Sequence, residues 1–132
     1  PESSLQPTMI RDRASMEQII SILDSYAYKA MVWDVYVQIM RGQEGDQEII
    51  ANGLSQSEKC LRAIAELQCN DQFLVGSSLS LADFYAYPMV KYLSLVEQGC
   101  ELLLNFPGIS AWFEAMEATF AFTPLAPAHK IA

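Results

Sequence analysis

The stretch Leu79-Ser80-Leu81-Ala82-Asp83-Phe84 is the strongest local structural signal in the sequence. Ser80 suits a helix N-cap, because its hydroxyl can accept a hydrogen bond from the backbone N–H three residues on. Asp83 can accept in return from the N–H of Ser80, which makes a reciprocal capping box with Asp in place of the usual Glu. Leu79 and Phe84 have the spacing of a hydrophobic staple around that cap. The stretch therefore predicts a helix that starts at Ser80.

Upstream of this box, apolar residues recur in steps of three and four, which is the pattern of helices that bury one face. A first, long helix is predicted to open at Pro7 and to run to about Arg41, with a bend near Ala30. A second helix is predicted from about Asp46 to Leu67. Gly53 lies inside it, and a glycine there usually needs a packing reason, for which we expect the close approach of another helix.

Downstream of the box, the predicted helix from Ser80 runs to about Gln98 and kinks at Pro88. A fourth helix follows Phe106-Pro-Gly108, and the segment from Thr123 onward breaks the periodic pattern. No stretch alternates with the period of two that a strand requires. The sequence thus predicts an all-α helical bundle, and we expect one domain over residues 1–132.

Composition and charge exclude several classes of protein. The chain has 132 residues, 52% of them hydrophobic, which is enough to fill one core. No apolar run approaches the roughly 20 residues of a membrane span, so we expect no membrane association. The net charge of −8 disfavours binding to the phosphate backbone of nucleic acids. Pro1 in place of Met indicates that the sequence begins inside a longer product or after a processed start.

Few residues are candidates for chemistry. The three cysteines, Cys60, Cys69 and Cys100, show no zinc-ligand spacing, and free thiols suit a reducing cytoplasm. Cys60 falls in a helical apolar pattern and is predicted to be a buried, inert thiol. The single histidine, His129, lies near the C-terminus, where no catalytic triad can be assembled around it. We therefore assign no catalytic residue and no metal ligand.

Taken in order, four motifs resemble one family. Phe73-Leu-Val-Gly76, then Ser80-Leu-Ala-Asp83, then Phe106-Pro-Gly-Ile-Ser-Ala-Trp112 resemble the helical C-terminal half of glutathione transferases. Arg11-Asp-Arg-Ala-Ser-Met resembles the opening of that half, and the stretch from Ile19 to Tyr36 looks most like bacterial-type members. The resemblance covers nearly the whole chain, from about Leu5 to Phe122.

The resemblance implies a division of labour between two domains. In this family a thioredoxin-like N-terminal domain, which this chain does not hold, binds the cosubstrate glutathione and activates its thiol. The helical domain walls the pocket for a hydrophobic electrophile and contributes to a homodimer interface. The resemblance places residues of the first helix over that pocket, and the candidates are Tyr26, Tyr28, Met31 and Trp33. Core or dimer packing is the competing explanation for each of them.

Asp24 is a separate candidate, since it lies beside Leu23 near the apolar stripe of the first helix. In several classes of the family an acid at about this place crosses the dimer interface. There it meets the amino group of the glutathione bound to the partner subunit. An ordinary exposed carboxylate is the alternative. For the whole protein, the alternative to an enzyme is a non-catalytic docking module of the same fold, such as those in translation factors and synthetase complexes.

Overall fold

Helices make up most of residues 5–120, the part of the chain that the computed structural model describes. No strand occurs in this part, which confirms the all-α prediction. The α-helices are α1 (Ile10–Ile22), α2 (Gln38–Met40), α3 (Gln47–Leu67), α4 (Leu81–Ser94), α5 (Glu97–Leu103) and α6 (Pro107–Thr119). The expectations about Pro1, His129 and the segment after Thr123 concern residues outside the described range.

A continuous helical rod over residues 10–40 is the central element of the bundle. Its middle section, Leu23–Val37, is wound as a π-helix, a wider helix with i→i+5 bonding that is rare in proteins. One side of this π-helical section packs on α3 and α4 and is buried, with Leu23, Ala27 and Val35 fully enclosed. The rod begins at Ile10 rather than at Pro7, because the residues before it lie across the start of α4 instead of continuing the helix.

The helix α3 packs along the π-helical section, and Gly53 permits the contact. A Cβ atom at Gly53 would lie 2.6 Å from the Cβ of Asp34 and 3.0 Å from a methyl carbon of Val35. Such distances leave no room for a side chain, so the expected close helix approach is confirmed. Asp46 is the N-cap of α3, and its carboxylate accepts from the N–H groups of Glu48 and Ile49 at 2.9 and 3.2 Å.

The helix that begins after Ser80 is shorter than predicted. It ends at Ser94, and a separate helix, α5, begins at Glu97 with Val96 in an extended conformation between them. Gly99 explains the tight turn, since a Cβ there would lie 1.9 Å from the carbonyl oxygen of Leu93. The predicted end at Gln98 was therefore wrong, because a backbone contact across this turn replaces a continuous helix. Pro88 lies within α4, which continues on both sides of it.

Candidate functional site

A buried carboxylate, that of Asp83, joins the three motifs of the second half of the chain. Its Oδ1 accepts from the indole Nε1–H of Trp112 at 2.8 Å and from the backbone N–H of Leu74 at 3.0 Å. Its Oδ2 accepts from the backbone N–H of Ser80 at 2.8 Å and from the Ser80 hydroxyl at 3.3 Å. The Ser80 hydroxyl in turn accepts from the N–H of Ala82 at 3.2 Å. One carboxylate thus connects the loop before α4, the start of α4 and the helix α6.

The surroundings of Asp83 make it a structural group rather than a reactive one. Asp83 is 0% exposed, and Ser80 and Trp112 beside it are also buried. A buried carboxylate is costly unless hydrogen bonds satisfy it, and the four bonds to Asp83 supply that compensation. The positive end of the α4 dipole adds to it, because Asp83 lies in the first turn.

Three aromatic side chains of the π-helical section are exposed. Tyr26, Tyr28 and Trp33 expose 57%, 47% and 52% of their area, although the same section supplies the centre of the core. Between them, the Nζ of Lys29 lies 2.8 Å from the carboxylate of Asp34, with 76% of the lysine side chain exposed. We refer to these three exposed residues, Tyr26, Tyr28 and Trp33, collectively as the aromatic face, although Tyr26 and Tyr28, two residues apart, lie on different sides of the helix. The apolar area of these side chains is available to a partner or a ligand.

The two other candidates of the first helix, Asp24 and Met31, differ in their exposure to solvent. Asp24 is exposed and precedes the aromatic face on the same π-helical section. Met31 is 0% exposed and packs in the hydrophobic core with Leu23, Ala27 and Val35. Because no atom of Met31 reaches solvent, we exclude it from the aromatic face. The structure therefore groups three of the four pocket candidates as exposed residues and assigns the fourth to the core.

An open cleft of about 340 Å³ lies elsewhere, between the loop that precedes α4 and the second half of α6. Apolar side chains and a few polar groups line it together: Gln72, Phe73, Ser78, Leu79, Ala115, Met116 and Thr119. No residue of the aromatic face and no candidate from the sequence takes part in it. The hydrogen bonds of Asp83 hold the loop next to α6, and the cleft lies between these two elements. No single sequence motif predicts this arrangement.

A polar cluster links α4 to the last turns of α6. The Tyr87 hydroxyl donates a short hydrogen bond to Oε2 of Glu117, and Nζ of Lys91 donates to Oε1 at 3.1 Å. Burial, together with the bond to Glu117 and its charge, raises the pKa of Tyr87 to about 12. Burial alone would raise the pKa of Glu117, but the bonds from Tyr87 and Lys91 and the lysine charge together lower it. The cluster therefore holds a neutral phenol and an ionised carboxylate.

Thiol and metal chemistry find little support within residues 5–120. Cys60 is buried, as predicted, and burial raises its pKa, so its thiol stays protonated near neutral pH. Cys69 and Cys100 are exposed free thiols. In this part of the chain no three His, Cys, Asp or Glu side chains come together in a way that could hold a metal ion. None of its helices combines the length and apolar character that a membrane span requires.

The bond from the N–H of Ser80 to Asp83 was predicted from the sequence and is present, but the bonds from Leu74 and Trp112 were not predicted. A tryptophan inside an apolar helix stripe carries one N–H, which needs an acceptor when it is buried. An acidic residue predicted at a buried helix start needs donors for both of its oxygens. A buried donor at Trp112 that needs an acceptor and a buried carboxylate at Asp83 that needs donors could together have predicted the bond between these residues.

Comparisons with known proteins agree on one family. The family model described as "Glutathione S-transferase, C-terminal domain" matches residues 25–119. The mouse protein glutathione S-transferase theta-3 is 25% identical over 130 residues, which cover 95% of this chain and 53% of that protein. Mouse glutathione S-transferase theta-1 is 26% identical over 104 residues, covering 78% of this chain and 42% of its own length.

A solved structure shares the fold. The crystal structure of glutathione transferase F7 from Populus trichocarpa superposes with a TM-score of 0.65 at 23% identity, over 88% of this chain and 55% of that one. The chain thus spans about half the length of these relatives.

Proposed function

Because this chain belongs to the glutathione S-transferase family through its C-terminal domain, we propose that it is the substrate-pocket and dimerisation domain of a glutathione transferase. In this proposal residues 1–132 form the helical domain. A thioredoxin-like domain in the same protein binds the cosubstrate glutathione and activates its thiol. The reaction is the conjugation or exchange of glutathione with a hydrophobic electrophile, in the cytoplasm.

The observation that carries this proposal is the aromatic face. Three large aromatic side chains are left about half exposed on the helix that otherwise forms the core. Aromatic rings offer a large, polarizable and apolar contact area, which suits a permissive site for hydrophobic molecules. Tyr26, Tyr28 and Trp33 are therefore proposed as candidates for contact with the electrophile, in a pocket that the thioredoxin-like domain completes.

Asp24 is proposed to bind the cosubstrate across a homodimer interface. It is exposed on the same π-helical section, one residue after the fully buried Leu23, so a second subunit packed on this helix can reach its carboxylate. The ammonium group of glutathione in the partner subunit is a fitting counter-charge. A charge-assisted hydrogen bond of this kind is worth about 1.5–3 kcal/mol.

Two substitutions in the full-length protein separate these roles. Trp33→Ala should raise the KM for the electrophile and leave the glutathione dissociation constant unchanged. Asp24→Asn keeps the shape but removes the charge, and it should weaken glutathione binding by roughly tenfold to a hundredfold. Tyr85→Ala is the matched control, because Tyr85 is an aromatic residue of α4 that is 44% exposed and lies outside the aromatic face.

The kinetic constants decide between the proposal and its alternatives. If Trp33→Ala behaves like Tyr85→Ala in electrophile kinetics, the aromatic face does not line the pocket. An unchanged glutathione dissociation constant in Asp24→Asn, measured where both proteins are dimers, would make Asp24 an ordinary surface residue. If the full-length protein has no turnover at all, the non-catalytic docking module replaces the enzyme.

A further inference from the structure

The segment before α1, residues 5–9, lies across the start of α4. The backbone N–H of Leu81 donates a 3.0 Å hydrogen bond to the carbonyl of Leu5. The guanidinium of Arg13 donates to the carbonyl of Pro7 from Nε at 3.4 Å and from Nη2 at 3.3 Å. The carbonyls of Leu5 and Pro7 therefore accept hydrogen bonds from groups outside the segment, and the carbonyl of Met9 accepts from the backbone N–H of Arg13 at 3.0 Å.

Gly76 and Asp12 approach each other closely near the same segment. Gly76, in the loop before α4, has a φ of +65°, and a Cβ there would lie 3.2 Å from Oδ2 of Asp12. Asp12 belongs to the first turn of α1, directly after the segment. The loop, the start of α1 and the start of α4 thus meet around residues 5–9.

Leu81 occupies a special position where these elements meet. It is the first residue of α4, so its N–H has no partner within the helix. The N–H groups of its neighbours Ser80 and Ala82 are bonded to Asp83 and to the Ser80 hydroxyl, respectively. The capping box provides no acceptor for the N–H of Leu81, and the carbonyl of Leu5 is the acceptor for that group. Since this bond is not part of the helical ladder, it can break without unwinding α4.

We propose that residues 5–9 form a releasable latch that the N–H of Leu81 and the side chain of Arg13 hold on the start of α4. When closed, the latch fixes the direction from which the chain enters α1 and protects the first turn of that helix. That turn depends on the latch because its N-cap, Met9, provides no side-chain hydrogen bond. In a protein that carries a thioredoxin-like domain, this segment connects the domains and the latch sets their relative orientation, a consequence that rests on the proposed function.

The test compares Leu81→Pro with Leu81→Ala in the 132-residue chain. Proline is tolerated at the first position of a helix and lacks only the N–H, whereas alanine keeps the N–H and loses the side chain. Ser80 has φ −136° and ψ 175°, a conformation that a following proline accepts. The difference between the variants therefore isolates the bond to Leu5.

Trypsin cleavage after Arg11 and Arg13 reports on the opening of the first turn of α1. Losing one hydrogen bond should make these cleavages about twofold to tenfold faster in Leu81→Pro than in Leu81→Ala, since cleavage follows the population of the open form. Cleavage after Arg62, on the exposed side of α3, serves as the internal control and should not change. Equal rates in the two variants would overturn the proposal, and so would a parallel increase at Arg62.

If Leu81→Pro does not fold, a second pair of variants decides. Arg13→Gln removes the bonds to Pro7, whereas Arg11→Gln removes an exposed charge of the same helical turn. Hydrogen exchange of the Leu81 amide should be about twofold to fivefold faster in Arg13→Gln than in Arg11→Gln. Equal exchange in the two variants would contradict a latch. Neither readout depends on catalysis, so a failed latch and a failed enzymatic proposal give different results.

Discussion

The indole nitrogen of Trp112 donates a 2.8 Å hydrogen bond to Asp83, a residue 29 positions earlier in the chain. Both side chains are 0% exposed, so water cannot replace the bond. The same carboxylate oxygen accepts from the N–H of Leu74. The separation of α4, α6 and the loop before α4 is therefore fixed at one point, and the open cleft lies between two of these elements.

Removing the carboxylate should destabilise the domain strongly. Asp83→Ala leaves the N–H groups of Leu74, Ser80 and Trp112 buried without their acceptor, and we expect a loss of about 3–5 kcal/mol in the free energy of unfolding. Trp112→Phe keeps most of the ring volume and loses one donor, so it should cost about 1–3 kcal/mol. Denaturant titration measures both. Trp33→Phe on the exposed aromatic face is the control, with a change within about 0.5 kcal/mol.

A double-mutant cycle tests the bond itself. Asp83→Asn combined with Trp112→Phe should show a coupling energy of about 0.5–3 kcal/mol, because the two side chains are in direct contact. Strict additivity of the two single changes would mean that the 2.8 Å contact contributes nothing to stability.

Alanine at Gly53 should destabilise the domain, although alanine is the better helix former by about 1 kcal/mol. The added methyl group would meet the Cβ of Asp34 at 2.6 Å, and overpacking of this kind costs about 1–3 kcal/mol. Asn52→Ala, at an exposed position of the same helix, should be neutral or slightly stabilising. A Gly53→Ala midpoint at or above that of wild type in urea would show that α3 does not approach the π-helical section so closely.

Alanine at Ser57 should have the opposite effect. The hydroxyl of Ser57 is fully buried and has no hydrogen-bond partner within residues 5–120, an arrangement that disfavours folding. Ser57→Ala removes the unsatisfied group at little cost in volume, and we expect a gain of about 1 kcal/mol in the free energy of unfolding. Ser55→Ala is the control, since Ser55 is exposed on the same helix. A loss of stability in Ser57→Ala alone would reveal a partner for the hydroxyl.

The cluster of Tyr87, Lys91 and Glu117 predicts two pH dependences. The pKa of Glu117 is lowered in the folded state, so its contribution to stability is present above its unfolded pKa and is lost as pH falls through the folded value. The pKa of Tyr87 is raised to about 12, so its contribution is present below its ordinary pKa of 10 and is lost as pH rises toward 12.

Unfolding curves measured across pH check both slopes. Glu117→Gln should flatten the acid side of the stability profile, and Tyr87→Phe should flatten the alkaline side between about pH 10 and 12. Tyr85→Phe, on the same helix but exposed, is the control for the alkaline side. Wild-type slopes in both cluster variants would place the pH dependence on other groups.

Local chemistry explains what could be predicted from sequence. The start of α4 was predictable because Ser80 and Asp83 satisfy each other within one turn. The close approach at Gly53 was predictable because a glycine inside a helix has few other uses. The end of α4 was not, since the apolar spacing continues past Ser94 and only the contact of Gly99 with Leu93 ends the helix.

The site was harder to predict, because periodicity gives the composition of a helix face but not its partner. The aromatic face and Met31 belong to the same short stretch, yet Met31 is buried and Trp33 is 52% exposed. Met31 and Trp33 are two residues apart and so lie on opposite sides of the helix, and packing on α3 and α4 buries the side that carries Met31. The open cleft lies between α6 and the loop before α4, which Asp83 connects through its bonds to Trp112 and Leu74, and no single motif contains both of those residues.

The most direct test of the account is the rate of glutathione conjugation to a reactive aromatic halide. It is measured for the 132-residue chain alone and for a protein that joins it to a thioredoxin-like domain. We expect turnover by the joined protein and only the uncatalysed rate with the chain alone, because no residue of this chain is assigned to activate the thiol. Turnover by the purified chain alone that survives repeated purification, or none by the joined protein, would contradict it.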